Sequence, residues 1–404
     1  MNTNCLPNGF HHVENGNRSS SGILFLLSVS VGVAMIGLGI IWPIIPVYAV
    51  ELGAGGFLVG LIIASFNISK TLFNPLVGRL SDKLGRKNFI ATGLLLYALI
   101  SVFYVLPTRA ESLILIRFFH GMTSVLVVPI AMALAADIAP KQKLGLYMGT
   151  LNMSVMLGLG IGPVLGGMIR DHFGMNAAFY AMGGLALLTS VLVMIFIPPE
   201  KKGHSGQSSG RVSFRKMLQH RVVLGIFLTR FFTASGQGAV YTFLPILALE
   251  LNLTSSQVGI ILGANIFLIA FLQRFMGTLA DRINPKYFII SGTFASGLIV
   301  LWMPFVEGFT MILFLNILMG MANGLALPGG LVITGQLGRT MGMAALMGIT
   351  DAAWSLGMIV SPILSGIILD LFGLSQVFIT GSCLILTGSV AVTFFLRDYQ
   401  PDKA

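Results

Sequence analysis

The sequence predicts an all-α membrane protein whose 12 transmembrane helices form two parallel six-helix repeats. Three observations lead there. Of the 404 residues, 55% are hydrophobic and only 9% charged, against about 25% charged in an ordinary soluble domain; mean hydropathy is +0.90. Apolar runs of about 20 residues recur between short polar breaks, each long enough to span a bilayer. Adding 199 to a residue number in the first half also keeps landing on the same amino acid in the second.

The runs begin near residues 23, 57, 88, 111, 144, 174, 222, 256, 287, 309, 341 and 375. Each is read as helix, because a segment in lipid must satisfy its backbone polar groups internally. Residues 1–21 form a polar tail without the basic start and short apolar core of a cleaved signal peptide. Its adjacent His11 and His12 sit in a tail composition and are not read as a metal site. The first six runs make an N-terminal bundle over 22–197, the last six a C-terminal bundle over 222–396, and 397–404 is a second tail. The long break at 198–221, PPEKKGHSGQSSGRVSFRKMLQHR, starts as a Gly/Ser-rich linker. Its end, with Phe214, Met217 and Leu218 among basic residues, suits a segment lying on the membrane surface. Cys5 and Cys383 offer neither a disulfide framework nor a metal spacing.

Charge placement sets the orientation. With the N-terminus in the cytoplasm, 18 of the 24 Lys and Arg fall in cytoplasmic tails and loops, and only Arg109 and Arg170 in outside loops. This is the positive-inside pattern. Both termini are therefore expected in the cytoplasm and the chain in a cell membrane, the bacterial inner membrane being the expected one. The formal charge of +10 belongs to that face. No basic patch interleaved with aromatics stands in a soluble domain, so nucleic acid is not an expected partner.

The repeat is ungapped. Pro46 maps to Pro245, Glu51 to Glu250, Gly60 to Gly259, Asp82 to Asp281, Gly121 to Gly320, Pro163 to Pro362 and Asp171 to Asp370. Six helices is an even number, so both copies insert with the same orientation, about an axis along the membrane normal. Such halves place a site at their interface and rock around it.

Four motifs carry a family resemblance. GRLSDKLGRK, residues 78–87, resembles the signature between helices 2 and 3 of the major facilitator superfamily, and GTLADRINPK, 277–286, is its weaker second copy. LILIRFFHG, 113–121, resembles the helix 4 motif that sets an arginine before a glycine. GTLNMSVMLGLGIGPVLGGM, 149–168, resembles the helix 5 antiporter motif, with Gly149, Gly158, Gly162, Pro163, Gly166 and Gly167 at its spacing. PIIP, 43–46, resembles the proline pair ending helix 1 in drug:proton antiporters. The resemblance covers about residues 22–396 and implies a monomeric secondary transporter without cofactor, working on a small molecule and protons in the bilayer.

Each motif also has a physical reading. Gly78 permits close helix approach and Gly85 a tight turn. Asp82 can accept hydrogen bonds from basic neighbours or a helix N-terminus, and Arg86 can pair with Asp137. The family implies that this cluster is a cytoplasmic gate. The plainer reading, four positive charges holding the loop inside, stands beside it. In helix 5 the glycines let helices pack closely and Pro163 removes one backbone hydrogen bond; ordinary small-residue packing without antiport is the alternative.

Of 14 acids, Asp351 alone lies deep in a span, with no other charge between Arg339 and Asp370. Such a charge costs roughly 2.5–3.5 kcal/mol on insertion scales, so it faces a cavity or a partner. A carboxylate acted on by both burial and a nearby cation can bind and release a proton. Coupling a proton to transport is one reading and a static ion pair the other. The basic candidates are Lys70 on helix 2, Arg117 on helix 4 and Arg230 on helix 7, while Arg274 is near enough to a helix end to snorkel. In the family the helix 4 arginine is implicated in proton transfer, and His120 could relay protons or be a hydrogen-bonded structural histidine. Trp42, Gln237, Tyr241, Asn265, Asn316, Asn323 and Trp354, with Lys70 and Arg230, are expected to line the central cavity, since family architecture puts helices 1, 4, 7 and 10 around it. Amides with aromatics make an amphipathic pocket.

The leading expectation is a proton-coupled exporter of a small amphipathic molecule, drug-like or an anionic or zwitterionic metabolite. An uncoupled facilitator, or a translocase of lysolipids or glycolipids, is the transport alternative. A membrane enzyme is not expected: there is no second intramembrane carboxylate, no His/Glu metal cluster and no GxSxG elbow. No Walker A loop offers direct drive by ATP.

Overall fold

The computed structural model describes residues 20–140, 143–197, 217–280 and 283–400. The polar N-terminal tail up to residue 19, most of the 198–221 linker with Phe214, and the side chains of Asp82 and Arg274 lie outside the described residues. Among the described residues, 12 helices are long and apolar enough to cross a membrane. They are α1 (Gly22–Glu51), α2 (Gly56–Ser81), α3 (Arg86–Phe103), α4 (Ser112–Ile138), α5 (Leu144–Phe173) and α6 (Met175–Phe196). In the second half come α7 (Arg221–Glu250), α8 (Ser255–Gln273), α9 (Pro285–Phe305), α10 (Phe309–Gly338), α11 (Ala345–Phe372) and α12 (Leu374–Phe395).

Two spans are not continuous, and the sequence says why. α1 is broken into Ser20–Ile41 and Ile44–Glu51, because Pro43 has no N–H to continue the ladder. Its repeat partner is Thr242, and α7 runs unbroken from Arg221 to Glu250. α4 is broken between Val125 and Val128, where two β-branched valines precede Pro129. The matching stretch of α10 has Ala326 and Leu327 before Pro328 and stays helical.

Packing repeats as the sequence does. Within the first half α1 lies on α5, α2 on α4 and α3 on α6; within the second α7 lies on α11, α8 on α10 and α9 on α12. The turns joining α5 to α6 and α11 to α12 are single glycines, Gly174 (φ 85°) and Gly373 (φ 89°), in the left-handed region that a side chain disfavours. The two halves meet along α2–α11 and α5–α8. Met217, expected on a membrane surface, is instead buried against Val223, Leu346 and Ile349 of the C-terminal half, where apolar burial outweighs the basic flank.

The interface is tight at one end and open at the other. We call the end carrying the α2–α3 turn the basic end and the opposite one the far end. Toward the far end, a Cβ on Gly60 would overlap the Pro362 carbonyl, one on Gly259 the Pro163 carbonyl, and one on Gly167 the Ser255 carbonyl. At the basic end, Gly78, Gly145, Gly149, Gly330, Gly335 and Gly348 have no such neighbour within 4 Å. The halves therefore form a V whose mouth is at the basic end.

Two carboxylates, related by the repeat, fasten the far end. Asp171 at the end of α5 accepts hydrogen bonds from the backbone N–H groups of Ser255 (3.0 Å) and Ser256 (2.7 Å), opening α8. Asp370 at the end of α11 accepts from those of Gly56 (2.6 Å) and Phe57 (2.7 Å), opening α2. Each carboxylate caps a helix of the other half, satisfying its free N–H groups and facing its positive dipole end. A cap of this kind is worth about 1 kcal/mol, so Asp171→Ala combined with Asp370→Ala should shift the balance toward an open far end by roughly thirtyfold. Spin-label distances between R109C and E307C, with Cys5 and Cys383 replaced, measure it; an unchanged distribution would show that the caps do not hold this end.

Candidate functional site

The mouth of the V leads into a cavity of about 500 Å³ between the halves. Its wall from the first half is mainly apolar, with Leu38, Ile63, Phe66, Met156 and Leu159, plus Asn67, Lys70 and Arg117. The wall from the second half is mixed, with Thr229, Arg230, Thr233, Gln237, Asn323, Thr350, Asp351 and Trp354 among apolar residues such as Ile226, Ile266, Leu327, Met347 and Met358. Trp42 and Tyr241 meet across the halves at 5.2 Å between ring centroids, at the break in α1. Gln237 Nε2 donates to Asn323 Oδ1 at 2.7 Å, joining α7 to α10.

The charges fall into two groups. Asp351 and Lys70 are exposed to the cavity from opposite halves. Arg230 lies with its guanidinium 4.9 Å over the Trp354 ring, a cation–π contact one turn from Asp351. The cations that act on the Asp351 carboxylate are Arg230 and Lys70. Neither comes within 4 Å of it, so no static ion pair is formed. Arg117 is separate: it is 5% exposed and sits 4.5 Å over the Phe66 ring.

His120 lies behind Arg117 and does not line the cavity. It is fully buried, its Nδ1 is 2.8 Å from the Tyr104 hydroxyl, and its ring packs edge-on to Tyr97, Phe66 and Tyr104. Asn265 and Asn316, expected in the cavity, are elsewhere. Both are fully buried inside the second half, where Asn265 Nδ2 donates to the Asn316 carbonyl at 2.8 Å and Asn316 Nδ2 to the Ile312 carbonyl at 2.9 Å. The Asn265 amide ties α8 to α10 and the Asn316 amide bonds the preceding turn of α10 in place of lining the cavity, since a buried amide needs a partner. Trp42, Lys70, Arg230, Gln237, Tyr241, Asn323 and Trp354 line the cavity.

The residues expected at a cytoplasmic gate stand at the basic end. Arg86 Nη1 donates to Asp137 and to the Ala133 carbonyl (2.6 Å), tying α3 to α4 within one half. Gly85 takes φ 97° and makes the tight turn. Gly78 faces no helix, because the halves are apart there, and the same holds for Gly149 of the helix 5 motif. The rest of that motif is packed: Gly158, Gly162 and Gly166 lie against α1 at Gly32, Gly39 and Ile40, and Gly167 against α8. The cavity threonines and Asn67 were not singled out by sequence, because a helical threonine can bond its own turn, as Thr229 does to the Gly225 carbonyl at 2.7 Å.

Comparison with known proteins agrees with this arrangement. The Major Facilitator Superfamily model matches residues 27–235 and 226–404. The chain is 28% identical over 361 residues to an uncharacterized MFS-type transporter of Methanocaldococcus jannaschii, covering 88% of this chain and 93% of that one. It is 25% identical over 357 residues to the quinolone resistance protein NorA of Staphylococcus aureus, covering 86% and 90%. In fold it matches the crystal structure of a bacterial homolog of the human lysosomal transporter Spinster in an inward-facing, unoccupied conformation, with a TM-score of 0.83 at 14% identity, covering 96% and 100%. The helices, the repeat, the cavity between halves and the profile match together place this chain in the major facilitator superfamily of membrane transporters.

Proposed function

We propose that the protein is a proton-coupled exporter that carries a small amphipathic molecule by alternating access, with Asp351 as the proton-binding carboxylate. The observation that carries this reading is Asp351 itself: a carboxylate in the cavity, acted on by Lys70 from the other half and Arg230 from its own, and locked to neither. The halves 22–197 and 222–396 act as the moving bodies, joined by the linker. Both termini are cytoplasmic in a cell membrane, so the mouth in this structure faces the cytoplasm. The naming of NorA as a resistance protein supports outward transport.

The coupling follows from which charges sit on which half. Ionised Asp351 attracts Lys70 across the cavity and draws the basic end shut. Protonated Asp351 leaves Lys70 and Arg230 facing each other as like charges, which holds it open. Arg117 adds to the same positive field from the first half, with His120 behind it. Proton release to the cytoplasm thus favours closure there, and proton uptake from outside favours reopening.

Transport in proteoliposomes tests this, wild type beside Asp351→Asn, across dyes, lipids and anionic metabolites. The variant should lose accumulation driven by a pH gradient while keeping solute exchange. Equal gradient dependence in both proteins would overturn the assignment and move the titrating group to His120 or Asp137. The basic end gives a second expectation. Gly78→Leu and Gly149→Leu meet open space here, so thermal stability should stay within about 0.5 kcal/mol. Transport should nevertheless stop, because closure brings helices against those positions. Normal transport by both variants would rule out closure at this seam.

A further inference from the structure

Arg117 is the one cavity charge to which the described residues offer no opposite charge. It lines the cavity, is 5% exposed, and has no carboxylate within 4 Å among the described residues. Its Nε has no hydrogen-bond partner. The groups its charge reaches are Tyr97, Tyr104, whose hydroxyl it hydrogen-bonds, and His120, none of them an anion at neutral pH. Tyr97 Oη and His120 Nε2 in the same cluster are likewise buried without a partner. Asp351 does not answer this charge, since the cations acting on it are Arg230 and Lys70.

A buried cation without an opposite charge costs several kcal/mol, of which the Phe66 face and the Tyr104 hydroxyl offset only part. A cavity wall can hold one when the occupant supplies the opposite charge. A guanidinium suits an oxyanion best, because its planar fork donates two parallel hydrogen bonds. Phe66 lies against Arg117, and Leu38, Ile63, Met156 and Leu159 on the same half's wall of the cavity offer a surface to an apolar body. Resting on the reading of this cavity as the substrate site, we propose that the carried molecule is an amphipathic oxyanion (a carboxylate, or a phosphate or sulfonate ester) whose head group pairs with Arg117 and whose apolar part lies along that wall.

The test needs no gradient. The purified full-length chain in phosphatidylcholine nanodiscs is titrated with dansyl-labelled undecanoic acid, its primary amide and the matching amine. The acid should bind about tenfold more tightly than the amide, the gain of one charge-assisted hydrogen-bonded pair, and the amine most weakly. Arg117→Gln should bring the acid and amide together, and Arg117→Lys should keep part of the difference. Displacement of the acid by added phosphatidylglycerol would assign the head group to a lipid, and its absence to a soluble amphipath; both keep the assignment to Arg117. Equal binding of acid and amide by wild type overturns the proposal without need of a variant. So does a preference that survives Arg117→Gln, or one that Lys70→Gln removes in its place. A protein that shows the preference but no pH-driven transport would sink the proton-coupled reading and leave this one standing.

Discussion

The close approach of the two halves at the far end is the constraint on which the rest of the structure depends. Backbone meets backbone there, Gly60 on Pro362 and Gly259 on Pro163, with no side chain between. Such contact is available only to residues without a Cβ, and in lipid, where apolar surface gives little drive to associate, close packing does most of the work. The Asp171 and Asp370 caps add direction to it. They give each half a hydrogen-bonded grip on the other at the one place where helix ends expose free N–H groups. With the far end shut in this way, the rigid seam helices of 19 to 30 residues must diverge toward the other end, and the cavity is the space that divergence opens.

What fills the cavity wall follows from a second constraint, the cost of charge away from water. Lys70 and Asp351 are tolerated because the open V lets solvent reach them. Arg230 is held by the face of Trp354. Arg117 is placed differently, deeper and against Phe66, with a neutral aromatic cluster behind it. The charges are unequally shared between the two walls, with Lys70 and Arg117 on the first and Arg230 and Asp351 on the second. That asymmetry arose after the duplication: Lys70, Arg117 and Asp351 stand opposite Ile269, Asn316 and Asn152 in the repeat. The copies kept the two caps and the seam glycines Gly60/Gly259 and Gly167/Gly366, exchanged Gly162 and Gly166 for Ser361 and Ser365, and diverged in charge.

How much of this was legible in the sequence depended on whether one residue type admits one explanation. The spans and the repeat were legible because twenty apolar residues in a row have only one use. The charged cavity residues were legible for the same reason, since a charge in a span must face a cavity or partner. Asn265 and Asn316 were not, because a buried amide serves equally as a cavity donor or as a tie to a neighbouring carbonyl. Which it does depends on a rotation about the helix axis that an apolar helix leaves unmarked. Asp171 and Asp370 were visible as a repeated pair. Their targets were not, because backbone N–H groups in another half carry no sequence signature. The open end was invisible too, since Gly78 and Gly149 read as packing residues and find nothing to pack against in this conformation.

Those idle glycines bear on how the proposed cycle would turn. The three cavity cations are divided between the halves, Lys70 and Arg117 on one and Arg230 on the other. Bringing the walls together at the basic end compresses them and expels the water that screened them. On the proposed reading two events relieve that repulsion, loss of the Asp351 proton and arrival of an oxyanion at Arg117, and each removes one unit of positive charge. The loaded, deprotonated carrier is therefore the form best able to close toward the cytoplasm. The empty, protonated carrier carries the full repulsion and is the form driven to reopen there. Proton and cargo need not compete for one atom in such a scheme. It is enough that they favour opposite ends of the same rocking motion, which makes exchange a property of the charge balance across the seam and not of a shared binding group.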